Sequence, residues 1–186
     1  IIPVFISFTA VQFIVYAYLS SDTGMVNNLF GLSTRWYMEA KYWPAILTIV
    51  KIWNGVGYGS VLYMSVLAGI DTQLYEAAEI DGANKWQQIA HVTLPSLVPM
   101  ISIMLLLSVG GMMHSDTGLF YQVTRNSGTL YSTTQVLDSY VLNAIFKNAN
   151  YGFTAAATFF QSVVGTAMIL LANGIVRKIA PEDALF

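Results

Sequence analysis

The chain of 186 residues contains no cysteine and has few charged side chains. Only 10% of its residues are charged and 55% are hydrophobic, against about 25% and about 45–50% in soluble domains. A soluble protein of 20.4 kDa has too much surface to cover with so few charges. The lack of cysteine excludes disulfides, thiol nucleophiles and cysteine-based metal sites, and a net charge of −2 offers no basic surface for nucleic acid. These features indicate a multi-spanning membrane protein.

Four stretches with almost no charged side chains are long enough to cross a bilayer. A helix needs about 20 residues to span a hydrocarbon core of roughly 30 Å. The predicted spans cover about residues 1–20, 45–70, 92–113 and 154–176. Lys51 lies near the start of the second span, where its long stem allows the ammonium to reach the lipid headgroups. The pattern predicts an all-α, polytopic membrane helix bundle.

The polar residues form no recognisable catalytic or metal-binding arrangement. His91 and His114 lie at opposite ends of the third predicted span and belong to no metal-binding motif. A serine–histidine–aspartate arrangement would need partners on opposite sides of the membrane. No phosphate-binding Walker A sequence occurs, so ATP hydrolysis by this chain is not expected. We therefore expect no enzymatic activity, no metal site and no cofactor in this chain.

The connection at residues 71–91 is the most informative part of the sequence. Its pattern predicts two short helices joined by a bend. Asp71 or Thr72 can cap the first helix, and Asn84 can cap the second. Gly82 supplies the left-handed residue that ends the first helix.

Each of these two predicted helices has one face suited to packing. On the first helix a thin face, which another protein can approach closely, is formed by Leu74, Ala77, Ala78 and Asp81. On the second helix the predicted buried stripe consists of Trp86, Ile89, Ala90 and Thr93. Pro95 lies where the second helix enters the third span, and it forces a kink or a restart.

Helices of this size do not fold alone in water, so the segment needs a partner. Glu76, Glu79 and Asp81 give it an acidic side, which suits a basic surface or a helix N-terminus. The alternative is an amphipathic loop lying on the lipid surface. The acidic charge argues against that placement on anionic lipid.

These residues resemble the EAA loop of binding-protein-dependent ABC importer permeases, the MetI-like superfamily. The resemblance rests on Glu76-Ala77-Ala78, Asp81-Gly82-Ala83 and Leu94-Pro95 at this spacing. Other stretches resemble the sugar-importer branch and, within it, the aldouronate or polysaccharide type. Those stretches are residues 3–7, 23–28, 52–57, 136–141 and 171–173.

The resemblance implies that residues 1–186 are the C-terminal part of one ABC transmembrane domain, with four of about six spans. It also implies that the loop at residues 71–91 faces the cytoplasm and couples the permease to a separate ATPase subunit, which binds ATP. The residues to which it assigns this coupling are Glu76, Ala77, Ala78, Asp81, Gly82, Ala83, Leu94 and Pro95. The other partners it implies in the cell membrane are a second permease subunit in a heterodimer and an extracytoplasmic solute-binding protein.

Polar residues within the spans outline a candidate path for a carbohydrate, which the resemblance implies is an oligosaccharide. The candidate residues are Asn54 and Tyr58 on the second span and Ser108 and Met112 on the third. The structural alternative is that the tyrosine packs against neighbouring helices and the serine bonds its own backbone. The glycines predicted to allow close packing or bending of the second span are Gly55, Gly57 and Gly59.

A stand-alone secondary carrier or channel for a small polar solute is the alternative function. An ion-coupled carrier normally has an ionisable group in mid-span, and the predicted spans contain no carboxylate there. The positive charges of the predicted loops are divided too evenly to set the orientation. Dependence of transport on an ATPase subunit separates the two functions.

Overall fold

The structure, a computed structural model, describes residues 2–148 and 151–179, and every regular element in them is helical. The α-helices are α1 (Phe8–Leu19), α2 (Met25–Phe30), α3 (Trp43–Ala68), α4 (Thr72–Ile80), α5 (Lys85–Gln88), α6 (Leu94–Gly110), α7 (Tyr131–Thr134), α8 (Leu137–Asn148) and α9 (Tyr151–Ile179). Short 3-10 turns occur at Ile2–Phe5, Trp36–Met38, Ala40–Tyr42 and Gly128–Leu130, and π-helical segments at Ile89–Thr93 and Gly118–Val123. The predicted all-α architecture is confirmed.

Three helical segments of the described residues are long and apolar enough to cross a membrane. They are Ala40–Ala68, Lys85–Gly110 and Tyr151–Lys178, and they overlap the second, third and fourth predicted spans. The first predicted span is helical over a shorter length, because α1 has 12 residues and rises about 18 Å, against a hydrocarbon core of roughly 30 Å. The four-span count and the membrane boundaries remain predictions.

The chain divides into two compact units. Unit 1 comprises the described residues of Ile1–Gly57 and His114–Gln161, and unit 2 those of Tyr58–Met113 and Ser162–Phe186. The buried apolar residues of the unit 1 core are Val11, Val15, Leu19, Trp43, Leu47, Val50, Leu119, Val123 and Leu130. On α1 and α3 they recur at helical spacing and form one stripe on each helix.

A glycine allows the π-helical segment Gly118–Val123 to lie directly on α1. A Cβ at Gly118 would be 2.5 Å from the ring of Phe8, which is too close for any larger residue without movement. At the end of the same π-helical segment, the carbonyl of Val123 accepts the hydroxyl of Tyr37 at 3.3 Å. Burial raises the pKa of Tyr37 to about 12, although the nearby Arg125 opposes the shift.

Unit 1 resumes at His114, after α6, and two carboxylates hold the start of this segment. Lys51 donates from its Nζ to Oδ2 of Asp116 at 2.7 Å, while its reach toward the lipid headgroups stays a prediction. Asp138, in the first turn of α8, accepts the backbone N–H of Ser115 and, at 2.8 Å, the side-chain amide of Gln161. Because Gln161 is almost completely buried, Asp138 connects the start of α8 to the interior of α9.

Within unit 2, α6 and α9 approach each other at two small residues. A Cβ at Gly110 would lie 2.8 Å from Cδ1 of Ile169, and one at Gly165 would lie 3.1 Å from the carbonyl oxygen of Gly110. Small residues allow such close approach between membrane helices. At Gly55 and Gly59 of α3 a Cβ would meet no described atom within 4 Å, so these glycines make no close contact within the described residues. Their predicted role in close packing or bending of the second span stays a prediction.

Candidate functional site

The loop between α3 and α6 folds as two short helices joined by a turn, as the sequence predicts. The first helix, α4, begins at Asp71, whose Oδ1 accepts the backbone N–H of Gln73 at 2.9 Å. The hydroxyls of Tyr75 and Thr93 lie 2.9 Å apart and form a hydrogen bond. This bond connects the middle of α4 to the base of α6 and fixes the position of the first helix.

The turn after α4 is a Schellman motif. The N–H of Gly82 donates to the carbonyl of Glu79 at 3.0 Å, and the N–H of Ala83 donates to the carbonyl of Ala78 at 2.9 Å. Gly82 has a φ of +81°, the left-handed region that the sequence predicts for this position. The motif satisfies the last carbonyls of α4 and sets the direction in which the chain leaves the helix.

The second helix, α5, is held by a capping box. Asn84 Oδ1 accepts the N–H of Gln87 at 3.0 Å, and Gln87 Oε1 accepts the N–H of Asn84 at 2.8 Å. The side chain of Gln88 is only 5% exposed, and its amide donates to the carbonyl of Ala83 at 3.3 Å. Both helices and the turn between them are therefore fixed by hydrogen bonds.

The predicted buried stripe of the second helix is wrong. Trp86 is 81% exposed, and Ile89 and Ala90 are also exposed, while Thr93 is half-buried. The prediction assumed 3.6 residues per turn, but Ile89–Thr93 is a π-helical segment with a wider turn, so residues spaced for an α-helix do not share one face. The buried side chain is instead the polar Gln88.

The outer surface of this loop combines acidic and apolar side chains. Glu76, Glu79 and Asp81 are exposed. Ile80, which is 86% exposed, and Trp86 lie on either side of the Gly82 turn. Exposed large apolar side chains of this kind mark interaction sites.

The two alanines of α4 keep its packing face low. Ala77 is exposed and Ala78 is half-buried. Ala78, Asp81, Gly82 and Ala83 line a groove of about 310 Å³, which His91 borders. A second groove of about 410 Å³ lies on the side of Tyr75 and Glu76.

Leu94 and Pro95 begin the third apolar segment. Both are exposed and lie in the first turn of α6, immediately after the π-helical segment. The helix nevertheless continues through this point, because Lys85–Gly110 is one helical segment and the N–H of Leu94 donates to the carbonyl of Ile89. A kink or a restart at Pro95 stays a prediction.

The residues predicted to line the substrate path belong to both units of the chain. Asn54 is buried in unit 1, where its amide donates to the carbonyl of Pro3 at 2.8 Å, so it lies on the core face of α3. In unit 2, Tyr58 is 58% exposed, and Ser108 and Met112 are also exposed. The role of these residues in transport remains a prediction.

Comparisons with known proteins agree with this geometry. Residues 1–181 match the family described as the inner membrane component of binding-protein-dependent transport systems. Protein LplB of Bacillus subtilis (strain 168) is 30% identical over 97% of this chain and 58% of its own length. The polygalacturonan/rhamnogalacturonan transport system permease protein YteP of the same organism is 27% identical over 97% of this chain and 57% of its own length. The chain thus spans a little over half the length of these curated relatives.

Two solved structures share the fold. The crystal structure of a bacterial ABC transporter involved in the import of the acidic polysaccharide alginate superposes with a TM-score of 0.89 at 30% identity, and covers 96% of this chain and 63% of that chain. The alginate transporter in complex with an alginate pentasaccharide-bound periplasmic protein gives 0.86 at 31% identity, over 95% and 62% of the respective chains. The resemblance noted in the sequence is confirmed. The chain belongs to the family of inner membrane components of binding-protein-dependent transport systems.

Proposed function

We propose that the chain is part of the permease subunit of an ATP-driven importer, and that it passes an oligosaccharide delivered by an external binding protein. The observation that carries the proposal is the construction of residues 71–93, hereafter the coupling segment. Its helices are capped, its turn is a Schellman motif and its acidic and apolar surface is open. The names of the relative YteP and of the alginate transporter, both concerned with polysaccharides, support the class of substrate.

The coupling segment is suited to transmit movement because it is stiff. The Tyr75–Thr93 bond and the Gln88–Ala83 bond tie its two helices to α6 and to each other. A displacement applied to the segment therefore reaches α6, whereas a flexible loop would absorb it. Ala77, Ala78 and Ala83 would let a partner approach closely.

The partner that fits this surface is a separate ATPase subunit, which would bind the ATP, so that this chain needs no cofactor. Glu76 would anchor to a basic side chain or to backbone N–H groups of that subunit. Asp81, Gly82, Leu94 and Pro95 would set the angle at which the segment and α6 meet. This arrangement places the coupling segment on the cytoplasmic side of the cell membrane.

The complete importer would contain a second permease subunit, forming a heterodimer with this one, and an extracytoplasmic solute-binding protein. The alginate transporter has been solved with a periplasmic protein that carries a pentasaccharide, which supports a binding protein as the donor of substrate. The exposed apolar surfaces of the long helices would face lipid or the second permease. Asn54, Tyr58, Ser108 and Met112 remain the proposed contributors to the substrate path.

Reconstitution of the full-length permease tests this function. With its second permease, ATPase and binding protein in proteoliposomes, uptake of oligosaccharide should require ATP. It should stop when the ATPase is replaced by a variant that binds ATP but does not hydrolyse it. Uptake that continues without the ATPase would instead establish a stand-alone carrier or channel.

A further inference from the structure

A groove of about 610 Å³ lies in unit 1 between α3 and the residues that follow α6. Its α3 wall is one helical face, formed by Pro44, Leu47, Thr48, Lys51 and Ile52. The opposite wall includes His114, Ser115, Asp116 and Phe120. The groove is separate from the coupling segment, which belongs to unit 2.

An ion pair lies at this groove. Lys51 Nζ donates to Asp116 Oδ2 at 2.7 Å, and the other carboxylate oxygen, Oδ1, accepts the N–H of Leu119 at 3.2 Å. Both oxygens of Asp116 are thus engaged. The side chains of Lys51 and Asp116 are 55% and 25% exposed, so the pair is open to the groove rather than enclosed in the core.

The position of the pair favours a groove that faces water or protein over one that faces lipid. Lys51 lies about 12 Å along α3 from Trp43, within a segment long and apolar enough to span a membrane. Charged side chains in such segments face a water-filled cavity or another protein rather than lipid. The other face of α3 contrasts with this one: it borders a groove of about 460 Å³ whose lining, including Ile49 and Trp53, is almost entirely apolar.

The side chains at the first groove match the chemistry of a sugar acid. The ammonium of Lys51 has three N–H donors, of which Asp116 takes one, and the ring of His114 adds a further polar group. Thr48 and Thr133 donate their hydroxyls to backbone carbonyls at 2.7 and 2.8 Å, so their oxygens can accept from sugar hydroxyls. Phe120 supplies an apolar ring against which the C–H face of a sugar can pack.

We propose that this groove binds a uronate-bearing oligosaccharide, with Lys51 donating to the sugar carboxylate and the threonine oxygens accepting from its hydroxyls. The two N–H donors of Lys51 that Asp116 does not take give the groove its preference for a carboxylate, and the negative charge of Asp116 beside them opposes it. The inference rests on the proposed transport function and adds to it a binding site and a substrate class.

Cysteine labelling tests the proposal, since the chain contains no cysteine of its own. In the full-length importer, with any cysteines elsewhere replaced by serine, Thr48→Cys should react with a charged, membrane-impermeant methanethiosulfonate. Tetragalacturonate should slow this reaction, and the neutral maltotetraose should not. Ile49→Cys is the matched control, because it lies at the same depth on α3 but borders the apolar groove; its labelling should not respond to either sugar.

A second substitution tests the role of the ammonium. Lys51→Met in the Thr48→Cys background should raise the concentration of tetragalacturonate needed for half-protection about tenfold or more, as expected for the loss of one charge-assisted hydrogen bond. Protection is expressed relative to each variant's own rate without sugar, because loss of the ammonium one turn away also changes the reactivity of the thiol. Lys41→Met is the control: Lys41 also pairs with a carboxylate, that of Glu39 at 2.9 Å, but does not line the groove.

Three results would overturn the inference. An unreactive Thr48→Cys would show that lipid or another subunit covers the groove. Equal protection by both sugars, or by neither, would remove the preference for a carboxylate. An unchanged half-protection in Lys51→Met would remove the assigned role of the ammonium. Because ATP-dependent uptake is measured separately, any of these results can be obtained while the proposed function stands.

Discussion

Replacing Gly82 tests whether one backbone angle sets the shape of the coupling segment. Its φ is +81°, and a Cβ at this position would meet no described atom within 4 Å, so the cost of a side chain is conformational rather than steric. An L-residue in the left-handed region costs roughly 1–2 kcal/mol. A penalty of that size lowers the equilibrium constant between native and other turn conformations by about 5- to 30-fold.

Gly31 provides a matched control for this substitution. It also has a positive φ, +62°, and also has no described atom within 4 Å of a Cβ, but it ends α2 in unit 1. Gly31→Leu should therefore carry a similar local penalty away from the coupling segment. Gly82→Asn should recover part of the activity lost in Gly82→Leu, because asparagine tolerates the left-handed region better.

The assay is co-purification of the ATPase together with ATP-driven uptake in proteoliposomes. Gly82→Leu should reduce both, by at most the same factor of about 5 to 30. Its thermal unfolding midpoint should stay close to that of Gly31→Leu, which should keep near-normal uptake. Normal uptake by Gly82→Leu, or an equal loss in Gly31→Leu, would refute the argument that the turn angle carries the coupling.

Three further predictions follow from the same structure. Glu76→Lys should leave the permease folded, which gel filtration checks, but abolish the stimulation of its ATPase. Asp22→Lys, which also replaces an exposed acid, should leave the measured ATPase rate unchanged. Trp86→Ala should leave the unfolding temperature unchanged and weaken ATPase binding about tenfold or more, because tryptophan is a frequent hot-spot residue of protein interfaces. An unchanged affinity for the ATPase in a pull-down titration would contradict this prediction. Gly118→Ala should destabilise unit 1 by about 1–3 kcal/mol in thermal unfolding, because the added Cβ overpacks against α1. Gly128→Ala should be near neutral in the same measurement, because a Cβ there meets no described atom within 4 Å.

The local structure of the coupling segment could be predicted because its signals act over a few residues. Asp71, Gly82 and Asn84 each bond to groups within five positions in the chain, and their residue types report those bonds directly. The apolar lengths of the second, third and fourth spans are likewise visible in the sequence. The start of α1 is less visible in the sequence, since Ser7 caps the helix and only the later part of that apolar stretch is α-helical.

Features that depend on register or on distant contacts could not be predicted. The π-helical segment Ile89–Thr93 has a wider turn than an α-helix, so Ile89 and Ala90 do not share one buried face with Trp86 as the helical spacing predicted. The amide of Asn54 is held in the core by a carbonyl 51 positions away, that of Pro3, and no local pattern identifies this contact. The partner of Lys51 is 65 positions away, and no local pattern identifies it.

Site-specific cross-linking tests the central claim most directly. In the full-length permease assembled with its ATPase, Glu79→Cys on the exposed surface of the coupling segment should cross-link to the ATPase subunit and react with thiol reagents added from the cytoplasmic side. Asn28→Cys, exposed on α2, should form no such cross-link and should react only from the opposite side. A Glu79→Cys that reacts only from outside the cell, or that never cross-links to the ATPase, would contradict the account.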